Sequence, residues 1–422
     1  GGGRVEGDAA GCRKEGDSIR CRVFMNVPLP VFFAVVVAAY FSIQAYLFAR
    51  GWRALACRPE WRSAYAAGFW FAALAFVAGR NLENIAVTGL STALVWAGAF
   101  WFALMYYLFL GTLALDIAGS FARRAGLLPS SWTQNWPRVR FRAAVAVVCA
   151  SAAVVAWGHW NALRPEVVQM DVSLPGAAAS PTRVRAVVAS DWHLGTLVTQ
   201  GRVKGWVDTI NALNPDIILL PGDVIDEDLP PVTENNLGEF LRDLRAPLGV
   251  YAVTGNHEFI GGVEEAVRYL EAHGIRVLRD RAVPVAGGAF WLAGREDAGI
   301  ARLRGGGRAP LREILREVTP GAPVVVMDHR PVALGEAAAE GAAVQVSGHT
   351  HDGQLWPNKL LVRALLGISS GPAMVGGMPA YILPGLGTWG PPVRTGNRPQ
   401  ILVLNLMFDG PQTGSARGTK FF

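Results

Sequence analysis

The chain has 422 residues, room for two or more domains, and 51% of it is hydrophobic, which is unusual for a soluble enzyme. Residues 1–160 carry 15 Lys and Arg against 7 Asp and Glu, whereas residues 161–422 carry 24 against 26. The near-neutral second part argues against a basic nucleic-acid-binding face, so no nucleic-acid partner is expected.

The first 24 residues are low in complexity and mixed in charge. They read as a disordered tail, with Met25 as a candidate translation start. Residues 25–160 read as a transmembrane region of about four helices. Residues 27–49 contain no charge, residues 63–79 form a shorter apolar run, residues 85–115 are uncharged and rich in aromatics, and a fourth run lies within 142–164. A cleaved leader would explain only the first of these, so the lipid bilayer is an expected partner. Arg50, Arg53, Arg58 and Arg62 follow the first run, and Arg123, Arg124, Arg138, Arg140 and Arg142 precede the fourth. Basic short loops stay in the cytoplasm, which predicts a multi-pass protein of the cell membrane with its second half outside the cytoplasm.

A linker is expected over 161–182 and an α/β domain over 183–408, followed by a tail over 409–422. Strand-like bursts occur at 183–189, 216–220, 249–253, 289–293, 323–327, 343–346 and 401–406. Amphipathic helices lie between them; one places Val203, Trp206, Val207, Ile210 and Leu213 on a single face. All four cysteines, Cys12, Cys21, Cys57 and Cys149, precede this domain, which therefore has no disulfide framework, Cys nucleophile or thiolate ligand.

The residues just past the strand ends carry the chemistry. Asp191 and His193 follow the first burst, Asp223 the second, and Asn256, His257 and Glu258 the third. Asp328 and His329 follow the fifth, and His349 and His351 the sixth. Carboxylate, amide oxygen and imidazole together suit Mn, Fe or Zn, and a carboxylate such as Asp223 can bridge two cations. Five of the seven histidines fall in these motifs, with His159 and His273 outside; structural histidines would not be distributed in that way.

The ordered series DWH (191–193), GD (222–223), GNHE (255–258), His329 and GHTH (348–351) resembles the signature of the calcineurin-like metallophosphoesterases, over about 220 residues. GLGTW (385–389) with Pro392 and Arg394 is similar to the bacterial membrane-associated branch. The resemblance implies a layered β-sandwich flanked by helices and two divalent metal ions. One would be held by Asp191, His193, Asp223 and His351, the other by Asp223, Asn256, His329 and His349. It implies that Asp223 and His257 are catalytic, His257 facing the phosphate as an acid or charge stabiliser rather than as a ligand. Asp352 stands where the family usually has a small residue.

The expected function is a membrane-anchored, metal-dependent phosphoric ester hydrolase acting on phosphoester or pyrophosphate bonds. Phosphorylated small molecules and lipids, including lipid-linked substrates, are the candidate class. The alternative is a membrane sensor or scaffold with an inactive phosphoesterase domain. Arg330 is a candidate substrate contact, though a structural arginine is the plainer reading. The run Asp226, Glu227, Asp228 reads as a solvated loop, and Asp297 either as a residue supporting the ligands from behind or, more plainly, as a turn residue. Residues 357–378 read either as a basic amphipathic segment on a membrane surface or as a core helix.

Overall fold

The computed structural model describes residues 29–175, 182–299 and 307–409. The tail expected over 1–24 lies outside the described residues, as does 409–422 apart from Asp409, which ends a strand.

The first part is a bundle of four long helices, α1 (Leu29–Ala54), α2 (Arg62–Glu83), α3 (Gly89–Arg124) and α5 (Trp136–Ala162), with the short α4 (Ser130–Gln134) before the last. Three of them, α1, α3 and α5, are long and apolar enough to cross a membrane by length and composition. The fourth, α2, falls short by that measure: it uses Ala and Gly where its neighbours use larger aliphatics, and Arg62, Arg80 and Glu83 shorten its uncharged stretch. Those small residues let α2 lie close against α3. A Cβ on Gly79 of α2 would come within 2.7 Å of Val95 N on α3, so larger residues would force the helices apart. Thr88 opens α3 as a capping box with Ser91.

The second part stacks two six-stranded mixed sheets. Its strands are β1 (Glu166–Pro175), β2 (Arg183–Val188), β3 (Ile217–Pro221), β4 (Val250–Val253), β5 (Arg276–Val277), β6 (Arg281–Val285), β7 (Phe290–Gly294), β8 (Val324–Met327), β9 (Val344–Ser347), β10 (Gly371–Val375), β11 (Met378–Ile382) and β12 (Gln400–Asp409). The first sheet runs β1-β12-β2-β3-β4-β5 and the second β10-β11-β9-β8-β7-β6. All seven anticipated bursts are strands, with boundaries moved by no more than a few residues. The linker expected over 161–182 is corrected: β1 occupies much of it and pairs in parallel with β12, from Glu166 opposite Gln400 to Pro175 opposite Asp409.

Val188, Leu219, Leu292, Val325, Val346 and Leu404 meet between the sheets. The outer face of the first sheet is covered by α6 (Gln200–Ala212), α7 (Pro230–Glu234), α8 (Asn256–Gly261) and α9 (Val263–Ala272). The anticipated face of α6 is the buried one: Val203, Trp206, Val207 and Ile210 leave water, each contributing about 1.5–3 kcal/mol. The second sheet is covered by α10 (Leu311–Ile314) and α11 (Leu334–Ala339).

The segment 357–378 contains no core helix. Its helix, α12 (Asn358–Leu366), has no buried residue and exposes Leu360, Leu361, Leu365 and Leu366. β10 follows it, so the rest of the segment is sheet edge.

The domain docks on one end of the bundle. Arg80 meets Glu227 and Asp228, Trp96 donates to Thr196 O at 3.1 Å, and Asn161 donates to Arg394 O at 2.9 Å. The arginine-rich turns after α1 and before α5 lie at the opposite end of α1, α2 and α5.

Candidate metal centre

β2, β3 and β4 are adjacent in one sheet, and β8 and β9 are adjacent in the other. Their carboxyl ends emerge on a common rim, the usual ligand position of open α/β sheets. The loops after β2 and β3 are joined there: His193 N donates to Asp223 O at 3.0 Å and Leu194 N to Val224 O at 2.9 Å.

The candidate residues gather into two triads. Asp191, His193 and His351 bring one ligand atom each within 4.8 Å of one another, as do Asp223, His329 and His349. Asp223 Oδ2 lies 3.0 Å from His329 Nε2 and 3.9 Å from His193 Nε2, so one carboxylate oxygen faces both groups. Asn256 Oδ1 and Asp191 Oδ2 are buried without a hydrogen-bond partner, an expensive state for isolated oxygens and a suitable one for metal ligands. This mixed set of oxygens and ring nitrogens fits hard or borderline divalent cations and lacks the sulfur of a closed structural zinc site.

Backbone strain is concentrated at the same residues. Asp191, His193, Asp223, His349 and His351 all have φ between 46° and 72°, a region that costs most side chains about 1–3 kcal/mol each. Neighbouring glycines allow the approach: a Cβ on Gly222, itself at φ +86°, would stand 2.5 Å from His329 Nδ1.

Buried charge is balanced locally. Burial raises the carboxyl of Asp223, but His329, His257 and His193 around it hold it well below the ordinary carboxylate range. Burial opposes the charged form of His329, and Asp223 and Asp191 outweigh it, lifting the ring to about 10. His257 is similarly opposed by burial and lifted to about 9, chiefly by Asp223 and Asp226. Burial and cationic neighbours hold His349 and His351 well below the usual imidazole value, leaving them neutral and able to donate a lone pair.

Several supporting residues were missed or underread. Asp226 is not a solvated loop residue: its Oδ1 lies 3.0 Å from His193 Nδ1 and 3.1 Å from His257 Nδ1. Glu258 sits in the GNHE motif, but its task emerges only in three dimensions. It accepts from the backbone N–H groups of Asp223, Val224, Ile225 and Gly255 at 2.7–3.2 Å, clamping two loops together. Arg394 is wholly buried, with Nη2 3.2 Å from His351 Nδ1, and donates to Gly387 O at 2.6 Å. Exposed Trp389 lies beside His257, its ring 6.4 Å away, and Gln354 holds its backbone on both sides. Arg330 is paired with buried Asp297 at 2.7 Å, which favours the structural reading for both residues. Asp352 is paired with Lys359 at 2.8 Å and joins neither triad.

Residues 184–353 match the model of the calcineurin-like phosphoesterase family. A zebrafish (Danio rerio) transmembrane protein with metallophosphoesterase domain is 29% identical over 277 residues, 63% of either chain. Its bovine (Bos taurus) counterpart in name is 31% identical over 284 residues, 64% of this chain and 63% of that one. An uncharacterised metallophosphoesterase of Aquifex aeolicus is 29% identical over 231 residues, 54% of this chain and 87% of that one. The match thus spans less than two thirds of the two animal relatives.

Proposed function

We propose that this chain, whose residues 184–353 form a calcineurin-like phosphoesterase domain, is a membrane-anchored hydrolase of phosphoester or pyrophosphate bonds working with two divalent cations. The observation that carries this reading is the convergence of the two triads on Asp223 Oδ2. In the proposed assignment Asp191, His193, Asp223 and His351 hold one ion, and Asp223, Asn256, His329 and His349 the other. Bound there, two cations would neutralise phosphoryl oxygens and acidify a water towards neutrality.

The chain's own groups supply the rest. Asp223 fixes the spacing of the two triads and accepts His257 N–H through Oδ1 at 2.9 Å, which locates the His257 ring relative to the centre. Asp226, with Oδ1 3.1 Å from that ring's Nδ1, stabilises its charged form. The imidazolium proton then serves the departing oxygen, help commonly worth about 10²–10⁴ in rate. Cations beside the ring would lower its pKa from about 9 towards the working pH, where an acid transfers its proton best. Trp389 offers an apolar face at the mouth for the part of the substrate beyond the phosphate.

Three helices of membrane-spanning length and apolarity support anchoring, and α2, packed along α3, is proposed as a fourth span. The docking of the domain opposite the arginine-rich turns supports an extracytoplasmic active site. The exposed leucines of α12, with Lys359 and Arg363 beside them, support contact with the bilayer surface and a lipid-linked substrate. The domain limits proposed are 25–160 for the membrane region and 166–408 for the catalytic domain, which takes in β1.

The test is hydrolysis of a chromogenic phosphomonoester and phosphodiester by the purified full chain, with Mn²⁺ and with chelator. Metal-dependent turnover that Asp223→Asn abolishes supports the reading. A chain that binds no divalent metal would instead favour a sensor or scaffold.

A further inference from the structure

We propose that the helical bundle binds an anionic phospholipid at a site remote from the phosphoesterase centre, with acyl chain in an apolar chamber and phosphate on a cluster of arginines. The inference rests on the membrane reading above but not on the hydrolytic one.

The chamber lies among α1, α2, α3 and α5 and has a volume of about 740 Å³. That is within the range of about 300–1,000 Å³ typical of small-ligand sites. Leu47, Phe69, Trp101, Leu104, Leu108 and Val147 help to form its wall. Arg50, Arg53, Arg123 and Arg140 line the end formed by the turns after α1 and before α5. Arg140 is within electrostatic reach of Arg123, Arg50 and Arg53 together.

Asp116 is the one acidic residue among those lining the chamber, and it is already committed. Its Oδ2 lies 2.5 Å from Arg50 Nη2 and accepts from Tyr46 Oη at 2.5 Å. Arg123 and Arg140 are both held over the Trp136 ring, 5.5 and 5.2 Å from its centroid, so their positions are fixed by stacking. One lining carboxylate thus stands against four positive charges, and an incoming anion relieves their mutual repulsion.

Topology alone asks for arginines in these turns but not for their convergence on one cavity. Guanidinium groups bind phosphate oxygens in a forked geometry, and the adjoining apolar space is open to a hydrocarbon chain. A soluble anion would satisfy the charges and leave that space unused.

The test is native mass spectrometry of the full chain in mild detergent. The probes are dioleoyl phosphatidylglycerol, dioleoyl phosphatidylcholine and inorganic phosphate. One phosphatidylglycerol per chain is expected to be retained, with phosphatidylcholine weaker by about tenfold or more. Arg50→Gln with Arg140→Gln should reduce phosphatidylglycerol to the phosphatidylcholine level, and Arg140→Lys should retain most of the binding. Ala143→Phe, which narrows the chamber and leaves every arginine in place, should displace both lipids.

Equal retention of the two lipids, or unchanged phosphatidylglycerol retention in the double variant and in Ala143→Phe, would overturn the proposal. So would displacement of the lipid by inorganic phosphate alone. Lipid binding by a chain that hydrolyses nothing would leave this inference intact and sink the enzymatic one, and the converse result would do the opposite. Each variant is first checked by circular dichroism and gel filtration, and Arg140→Gln alone, expected to weaken phosphatidylglycerol retention, stands in for the double variant if that fails to fold.

Discussion

Arg80, near the end of α2, donates to Glu227 at 2.9 Å and to Asp228 at 3.1 Å, while Asp226 in the same loop hydrogen-bonds His193 and lies 3.1 Å from His257 Nδ1. A helix of the bundle is thereby tied to two histidines of the metal centre through three consecutive acidic residues. Glu83, one turn on, accepts from Thr196 at 2.7 Å in the neighbouring loop. Arg80→Ala removes the cation that faces Glu227 and Asp228 and leaves the loop free to move with Asp226. Outer-shell changes typically cost about 10–100-fold. A loss of that size in kcat, with KM little changed and partial recovery in Arg80→Lys, is the expected outcome. A variant that only loosened the fold would lower the amount of active enzyme and leave the kcat of the active fraction unchanged.

The bridging role assigned to Asp223 predicts more than a loss of rate. Asn at this position keeps the size but removes the charge that faces both triads through Oδ2. Activity should fall by more than about 100-fold, since even outer-shell losses approach that figure. Metal analysis should find fewer than two ions per chain. Two ions bound with normal affinity in Asp223→Asn would rule out the bridge.

His257 makes a prediction about leaving groups. An acid that protonates the departing oxygen matters most when that oxygen is a poor leaving group. His257→Ala should cost about 10²–10⁴ with an alkyl ester and much less with a nitrophenyl ester. Metal content should not change, because the ring is not assigned as a ligand. A uniform loss across leaving groups would turn the role from proton donation to binding.

Glu258 is a stability prediction. Its carboxylate serves four backbone donors in a fully buried position. Gln would turn one acceptor oxygen into a donor pointing at other donors, and each unmet buried group costs about 1–3 kcal/mol. Thermal unfolding of Glu258→Gln should shift down by roughly 5–10 °C for a domain of this size. An unchanged midpoint would mean that the clamp contributes little.

The legible part of this protein was what repeats along the chain. Strands announced themselves as short apolar bursts, and a ligand type followed each of five strand ends, because both features are local. Asp226 was misread for the opposite reason. In sequence it is one acid of three, and only the parallel pairing of Leu194 with Ile225 brings it beneath His193. β1 was hidden because its partner, β12, begins more than two hundred residues later and the strand itself is half exposed. α2 looked like its neighbours in apolar content but is built for close packing, a distinction carried by Gly79 and Gly98 facing α3 and α2 respectively.

Topology supplies the last prediction. The domain contacts the C-terminal ends of α2 and α5, and Arg58 in the α1–α2 connection, with Arg53 at the end of α1 and Arg138 and Arg140 at the start of α5, lies at the other end of those helices. If the basic turns are cytoplasmic, a reporter fused after Phe422 that works only outside the cytoplasm should be active, and a cytoplasm-dependent one silent. The reverse result would place the active site inside, where nucleotide-activated lipid precursors become available substrates. It would also require the basic turns to cross the membrane against their charge. Replacing Arg53 and Arg58 by Gln should then change the ratio of the two reporters if charge sets the orientation, and leave it untouched if the folded domain does.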